Sequence, residues 1–101
     1  MDNCQSSGII SKAGNEQTLV YAGRGLFYGI AGSATNAGAL ATVHNAATAA
    51  SYSGTLILAH KEKNADYDDI DVLPSAPIAF SLGLVLNSTN CDVVIYYTKL
   101  P

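Results

Sequence analysis

Ile78-Ala-Phe-Ser-Leu82-Gly-Leu-Val-Leu86 carries a large apolar residue at every second position. A period of two marks an extended chain, because successive side chains of a strand leave opposite faces. Ile78, Phe80, Leu82, Leu84 and Leu86 fall on one face. Ala79, Ser81, Gly83 and Val85, on the other, are small enough to lie against solvent or a second surface.

The same period extends outward from this run. Val93, Ile95 and Tyr97 alternate with Val94, Tyr96 and Thr98, and Leu26, Tyr28 and Ile30 alternate with Phe27, Gly29 and Ala31. Residues 55–59, with Leu56 and Leu58, read as a short buried strand, and 8–11, 17–22 and 69–73 are further strands. Turn residues separate them: Ala13-Gly-Asn15, Gly23-Arg-Gly25, Asn36-Ala-Gly38, Tyr52-Ser-Gly54, Pro74-Ser-Ala-Pro77 and Asn87-Ser-Thr-Asn90. Each supplies a residue that tolerates positive φ or presets it. Seven to eight short strands at this spacing predict an all-β antiparallel sandwich or barrel. The predicted core is the set Leu26, Tyr28, Ile30, Leu56, Leu58, Ile78, Phe80, Leu82, Leu84, Val93, Ile95 and Tyr97. Residues 37–51 are Ala-rich, with Leu40, Val43, Ala47 and Ala50 at helical spacing. Thr42, Asn45, Thr48 and Gly38 weaken a helix, so the expectation is a strand at 39–45 followed by a loop.

A 101-residue chain fits one domain, read as a short polar arm over 1–7 and a sandwich over 8–101. A folded monomer of this mass exposes roughly 5,400 Å², which leaves a thin core. Charged residues are 13% of the chain, against about 25% in ordinary globular domains. A surface so poor in charge favours burial against partners. The net charge of −3 and scattered basic residues exclude phosphate-backbone binding, so no nucleic acid is expected. The N-terminal stretch lacks the basic flank and apolar core of a secretion signal. The nine-residue apolar run is too short to span a bilayer as a helix, so no membrane is expected either.

Little chemistry is visible. His44 and His60 belong to separate strands with no HExxH or nucleophile-elbow context. Gly23-Arg-Gly25 lacks the third glycine of a dinucleotide loop. Asn64, Asp66 and Asp68 copy the first ligands of a calcium loop, but Asp69 stands where the turn needs Gly and Ser75 where Glu closes the site. No catalytic residue, cofactor or metal is therefore expected. Asn87-Ser-Thr89 matches a glycosylation sequon that has no route to a glycan without a secretion signal. Cys4 and Cys91 stay free in a reducing cytosol. A bridge between them would require the first and last strands to be neighbours.

The order of segments from Gly23-Arg-Gly-Leu-Phe-Tyr-Gly-Ile30, through Ser53-Gly-Thr-Leu-Ile-Leu58 and the 77–86 run, to Val93-Val-Ile-Tyr-Tyr97 resembles the small jelly-roll domains on virions of tailed bacteriophages. Capsid decoration (cement) proteins and head or tail fibre modules are the nearest in pattern. The resemblance covers residues 23–98 and rests on turns and alternation. It implies a jelly-roll sandwich, often trimeric, made in the host cytoplasm and seated on the virion against the major capsid protein, with no functional side chains to transfer. Met1, Asp2, Asn3 and Gln5 are then a candidate capsid tether. The competing expectation is a receptor- or carbohydrate-binding module, for which the tyrosines and the Asn/Asp loops are suited.

Overall fold

Alternating side chains and glycine-bearing turns divide the chain into nine strands in a computed structural model that describes residues 4–64 and 69–101. They are β1 (Gln5–Ser6), β2 (Ile10–Lys12), β3 (Glu16–Ala22), β4 (Gly25–Ala34), β5 (Ala39–Asn45), β6 (Ile57–Lys63), β7 (Ile78–Phe80), β8 (Gly83–Thr89) and β9 (Cys91–Lys99). Among the described residues one 3-10 turn lies at Ala49–Ser51. Two antiparallel sheets form. In the first, β1 and β2 both pair with β9, followed by β4 and β7; the second runs β3-β8-β5-β6. With β1 and β2 as pieces of one strand, each sheet has four positions, and the chain crosses between sheets at every connection except β5–β6. That is the topology of a jelly roll, a sandwich of two Greek keys. The exposed area is 5200 Å².

The core lies between the sheets. Phe27, Ile30, Val43, Ile70, Leu84, Leu86, Val93 and Ile95 are fully or almost fully buried there, with Phe80, Leu58 and Tyr97 close behind. Tyr21 joins the sheets: its ring stacks on Tyr97 at 5.6 Å and meets Phe80 edge-on at 6.2 Å.

The Ile78–Leu86 run is not one strand. It breaks at Ser81-Leu82, so β7 sits at the edge of the first sheet and β8 in the middle of the second. Leu82 therefore points to solvent at 50% exposure instead of into the core. Gly83 makes the crossing possible: a Cβ there would lie 2.5 Å from the Ala46 carbonyl oxygen and 2.6 Å from that of Tyr21. Beyond the break both faces of β8 are covered, since Val85 is as buried as Leu84 and Leu86.

Leu26 and Tyr28 are corrected too. Both are half-buried, while Phe27 is wholly enclosed. A register shift between Phe27 and Gly29 inserts one residue opposite β9, which puts Phe27 and Ile30 on the same inward face despite their odd spacing. Gly29 adopts φ 146 at this bulge, where a Cβ would meet the Val72 carbonyl oxygen at 2.7 Å. Leu56 lies before β6, 62% exposed.

Residues 39–45 form a strand, as the interruptions by Thr42, Asn45 and Gly38 require. Residues 69–73 make no full strand. They touch β4 through the bridges Ser33↔Asp69 and Ile30↔Val72, with Ile70 inward and Asp71 accepting from the Gly32 N–H at 3.1 Å. They thus extend the edge that β7 occupies further along β4. The expected arm over 1–7 joins the sheet from Gln5 onward: Gln5 pairs with Tyr97, and the Ser7 N–H donates to the Ile95 carbonyl at 2.9 Å. That register keeps the cysteines apart. Cys4 precedes the partner of Tyr97, six residues along β9 from Cys91, or roughly 20 Å of strand. A disulfide needs Cα atoms within about 7 Å. Both thiols are free, and burial raises the pKa of Cys91.

Candidate docking surface

Three connections meet at one end of the sandwich: the β3–β4 turn at 23–24, the β5–β6 segment at 46–56 and the β7–β8 crossing at 81–82. Asn45, the last residue of β5, holds them together. Its side-chain oxygen accepts from the backbone N–H groups of Ser81 at 3.2 Å, Leu82 at 2.9 Å and Gly83 at 3.4 Å. Its amide nitrogen donates to Ser81 Oγ at 3.3 Å, and its own N–H donates to the Leu56 carbonyl at 2.9 Å. One side chain thus satisfies donors that the break between β7 and β8 would leave orphaned.

His44, beside it, faces the outside of the second sheet and yet is 6% exposed. The 46–56 segment covers it. The Tyr52 ring stands edge-on at 5.2 Å, Thr42 Oγ1 lies 2.8 Å from Nε2 and Thr55 Oγ1 3.4 Å from Nδ1. The Thr55 hydroxyl donates to the Tyr52 carbonyl, so toward His44 it can only accept. The proton is thereby assigned to Nδ1, and Nε2 accepts from Thr42. Burial, and then the neighbouring His60, hold the His44 pKa below the ordinary histidine value. His60 lies on the same face across from Thr42, and its Nε2 is 3.3 Å from Glu62 Oε1 in the solvent. His44 has hydroxyls on both nitrogens and acts as a clasp for the 46–56 segment.

The segment and the crossing so fixed present apolar side chains outward. Leu56 and Leu82 are exposed, as are Ile57 and Leu100. Leu56 and Leu100 line a groove of about 410 Å³ across the strand ends, together with Gly25 at the start of β4 and Ala79, Phe80 and Ser81 at the end of β7 and just beyond it. Arg24 stands at its rim, where Nε donates to the Pro101 carbonyl at 2.7 Å and the Leu100 N–H returns to the Arg24 carbonyl at 3.0 Å. Lys99 is near, its ammonium 5.2 Å from the centre of the Tyr21 ring. Among the described residues, Arg24 and Lys99 are the Lys and Arg of this end, and no Asp or Glu side chain joins them. Glu16, Glu62, Asp69, Asp71 and Asp92 all lie toward the opposite end, with Lys12, Lys61 and Lys63.

The other sites considered from sequence are dispersed. Asp66 and Asp68 lie outside the described residues; Asn64 and Asp69 flank that gap. Asn87 of the sequon is a strand residue, 9% exposed, whose side-chain oxygen accepts from Gln17 Nε2 at 2.9 Å. That placement is unsuited to a glycan. Of the tether residues, Gln5 pairs within β1, and Met1, Asp2 and Asn3 lie outside the described residues. Sequence reasoning overlooked Asn45 and His44 as a bracket, because their partners are spread from 42 to 83. Arg24 was legible only as the tip of a turn.

The class that fold and surface define is a jelly-roll domain with an apolar end built from its loops. Scans of the chain against protein-family models, curated proteins and solved structures found no match.

Proposed function

We propose that the protein is a non-enzymatic structural protein of a bacteriophage virion, a capsid decoration protein that docks on the outer face of the assembled shell as a homotrimer. The observation that carries this reading is the apolar end: Leu56 and Leu100 stand exposed at a groove and Leu82 is exposed on the adjoining crossing, with the 46–56 segment and the crossing braced by Asn45 and His44. A monomer that keeps large apolar side chains in water on a braced surface is built to cover them with a partner. The outward face of β4 and β9 supports subunit contacts of the trimer. Along it Ala31, Ser33, Val94, Tyr96 and Thr98 leave Asp92 as the single formal charge, and charge depletion marks the centre of buried interfaces. Three equivalent contacts made at once on a symmetric lattice would raise the apparent affinity by roughly a hundredfold or more over one.

The test is co-sedimentation of the purified protein with undecorated, expanded capsids, with light scattering of the free protein alongside. The expected result is a free particle of three 10.5 kDa chains that pellets with capsids and not with unassembled capsid protein. A monomer that ignores capsids but is retained on immobilised glycans would overturn the proposal in favour of receptor binding.

A further inference from the structure

We infer that the outer face of the second sheet carries a shallow site for a neutral saccharide, centred on the side-chain amide of Asn87. The site is separate from the apolar end and does not rest on the capsid reading.

Register sets four polar residues in one row across all four strands of this sheet. Gln17 of β3 pairs with Asn87 of β8, Asn87 with Thr42 of β5, and Thr42 with His60 of β6. Opposed residues of neighbouring strands share a face, and this is the outward face that His44 also occupies. At about 4.8 Å between strands the row is roughly 14 Å long. Its middle is sunk, since Thr42 and Asn87 are less than a tenth exposed, while His60 stands open at one end. His44, bonded to Thr42, and the Tyr52 ring packed on it border the row on one side.

Asn87 is a poor residue for its place in the fold. Asn is depleted in strands, and β8 is an inner strand. A buried amide is normally satisfied within the protein. This one is satisfied only in part. Its oxygen accepts from Gln17 Nε2 at 2.9 Å, and among the described residues its NH2 group has no partner. That group is not sealed from the surface, as the orphaned Ser88 Oγ and Asp92 Oδ1 are. Turning both amides over only exchanges their roles: one carbonyl and one NH2 group of the pair stay unspent. A residue that breaks the local rule without structural return marks a functional position.

The unspent groups select the ligand. Neutral donors and acceptors side by side suit hydroxyl groups, each of which both gives and takes hydrogen bonds. Leu19 and Leu40 lie two residues along β3 and β5 from the row, on the same face, and offer apolar surface to the C–H groups of a sugar ring. Among the described residues of this face no charge is left to hold an ion. His60 and Glu62 engage each other, and Lys61 and Lys63 alternate onto the other face of β6. An added peptide strand finds no main-chain partner here, because the middle of the row belongs to strands paired on both sides. A flat protein surface would ride over the sunken Thr42 and Asn87.

The experiment is an NMR titration of the full chain with maltose, lactose and chitobiose, reading the side-chain NH2 signals of Asn87 and Gln17. At least one disaccharide is expected to shift both, together with the backbone amides of Thr42 and His60. Its dissociation constant should be on the order of 1 mM, the scale of a few net hydrogen bonds. Asn87→Leu should weaken binding about tenfold. Gln17→Ala, on the outer strand β3, tests the same row with less demand on the core and should also weaken it. Unchanged affinity in Gln17→Ala, or no movement of the two NH2 signals at about tenfold that concentration, overturns the inference. So does glycerol or inorganic phosphate that binds as tightly as the best disaccharide. Shifts of the same signals on concentrating the protein without sugar would overturn it in favour of a second copy on this face. A protein that pellets with capsids and is silent to the sugars keeps the capsid reading and loses this one, and a protein that binds sugar and ignores capsids does the reverse.

Discussion

The two ends of the sandwich are built differently. At the end that bears Ala13-Gly-Asn15 and Asn36-Ala-Gly38, these turns and the one at Asn90 are short and close mainly through backbone bonds, Thr35 N to the Asn90 carbonyl at 2.8 Å and Asn90 N to the Ala13 carbonyl at 3.3 Å, with one side-chain bond from Asn90 Nδ2 to the Ala37 carbonyl at 3.1 Å. The core beneath them is made of small residues, Ala34, Ala39, Ala41 and Cys91. At the other end the core is aromatic, with Tyr21, Phe80 and Tyr97, and the connections are tied by the side chains of Asn45 and His44. Backbone turns need little from any one side chain. A bracket of side chains concentrates the stability of a whole end in a few residues, and can be undone by changing one of them or its protonation.

The largest test of this contrast is Phe80→Ala. It opens the aromatic junction between the sheets and should cost about 3–5 kcal/mol, enough to unfold most of a small domain. A thermal or urea melt reads it directly. A melt that barely moves would mean that the two ends share the load evenly. Next comes Asn45→Ala, which leaves the Ser81, Leu82 and Gly83 donors without their common acceptor; those donors are partly open to water, so the cost should be about 2 kcal/mol. Hydrogen exchange at 81–83 and 46–56 should quicken while the 35–38 turn keeps its protection.

The smallest effect is that of pH. His44 is held neutral in the fold, with its pKa below the ordinary 6.5, so the unfolded chain takes up a proton at a higher pH than the folded one. The stability that neutral His44 contributes is fully present above about 6.5 and is lost as the pH falls below it. His60 and Tyr52 are the titratable groups packed near the ring, and Glu62 is engaged with His60. The expected result is a melting temperature that drops from pH 7 to pH 5 more in the native protein than in His44→Gln, with exchange loosening first at 46–56. Identical pH dependence in the two proteins would show that the clasp carries no titratable load.

The all-β class, the 39–45 strand and the inward face of β9 were legible in the sequence, because alternation over Val93, Ile95 and Tyr97 meets nothing that overrides it. Parity misled at Leu26 and Tyr28, since one inserted residue in β4 reverses inside and outside. It misled at Leu82 because a run that alternates without fault still spans two sheets. What breaks it is the close approach of Ala46 and Tyr21 to Gly83, contacts from distant parts of the chain. The apolar end was illegible for the same reason: Leu56, Leu82 and Leu100 share one end only after the sheets close, and alternation along the chain directs Leu56 and Leu82 inward.

The places of β8 and β9 in their sheets bear on how the protein is made. Each is an inner strand, β8 between β3 and β5, and β9 between β4 and the β1–β2 pieces. Until residues 83–99 exist, β3 and β5 have no strand to lie between them, and neither do β2 and β4. At ribosomal speeds of about 5–20 residues per second the earlier strands wait several seconds with unpaired edges. Folding of this topology then depends on distant pairings, which places it among the slower small domains, on the order of milliseconds to seconds. The sparse charge of the nascent chain makes that interval its most exposed moment to misassembly, and chaperone dependence during synthesis should exceed anything that the finished domain shows.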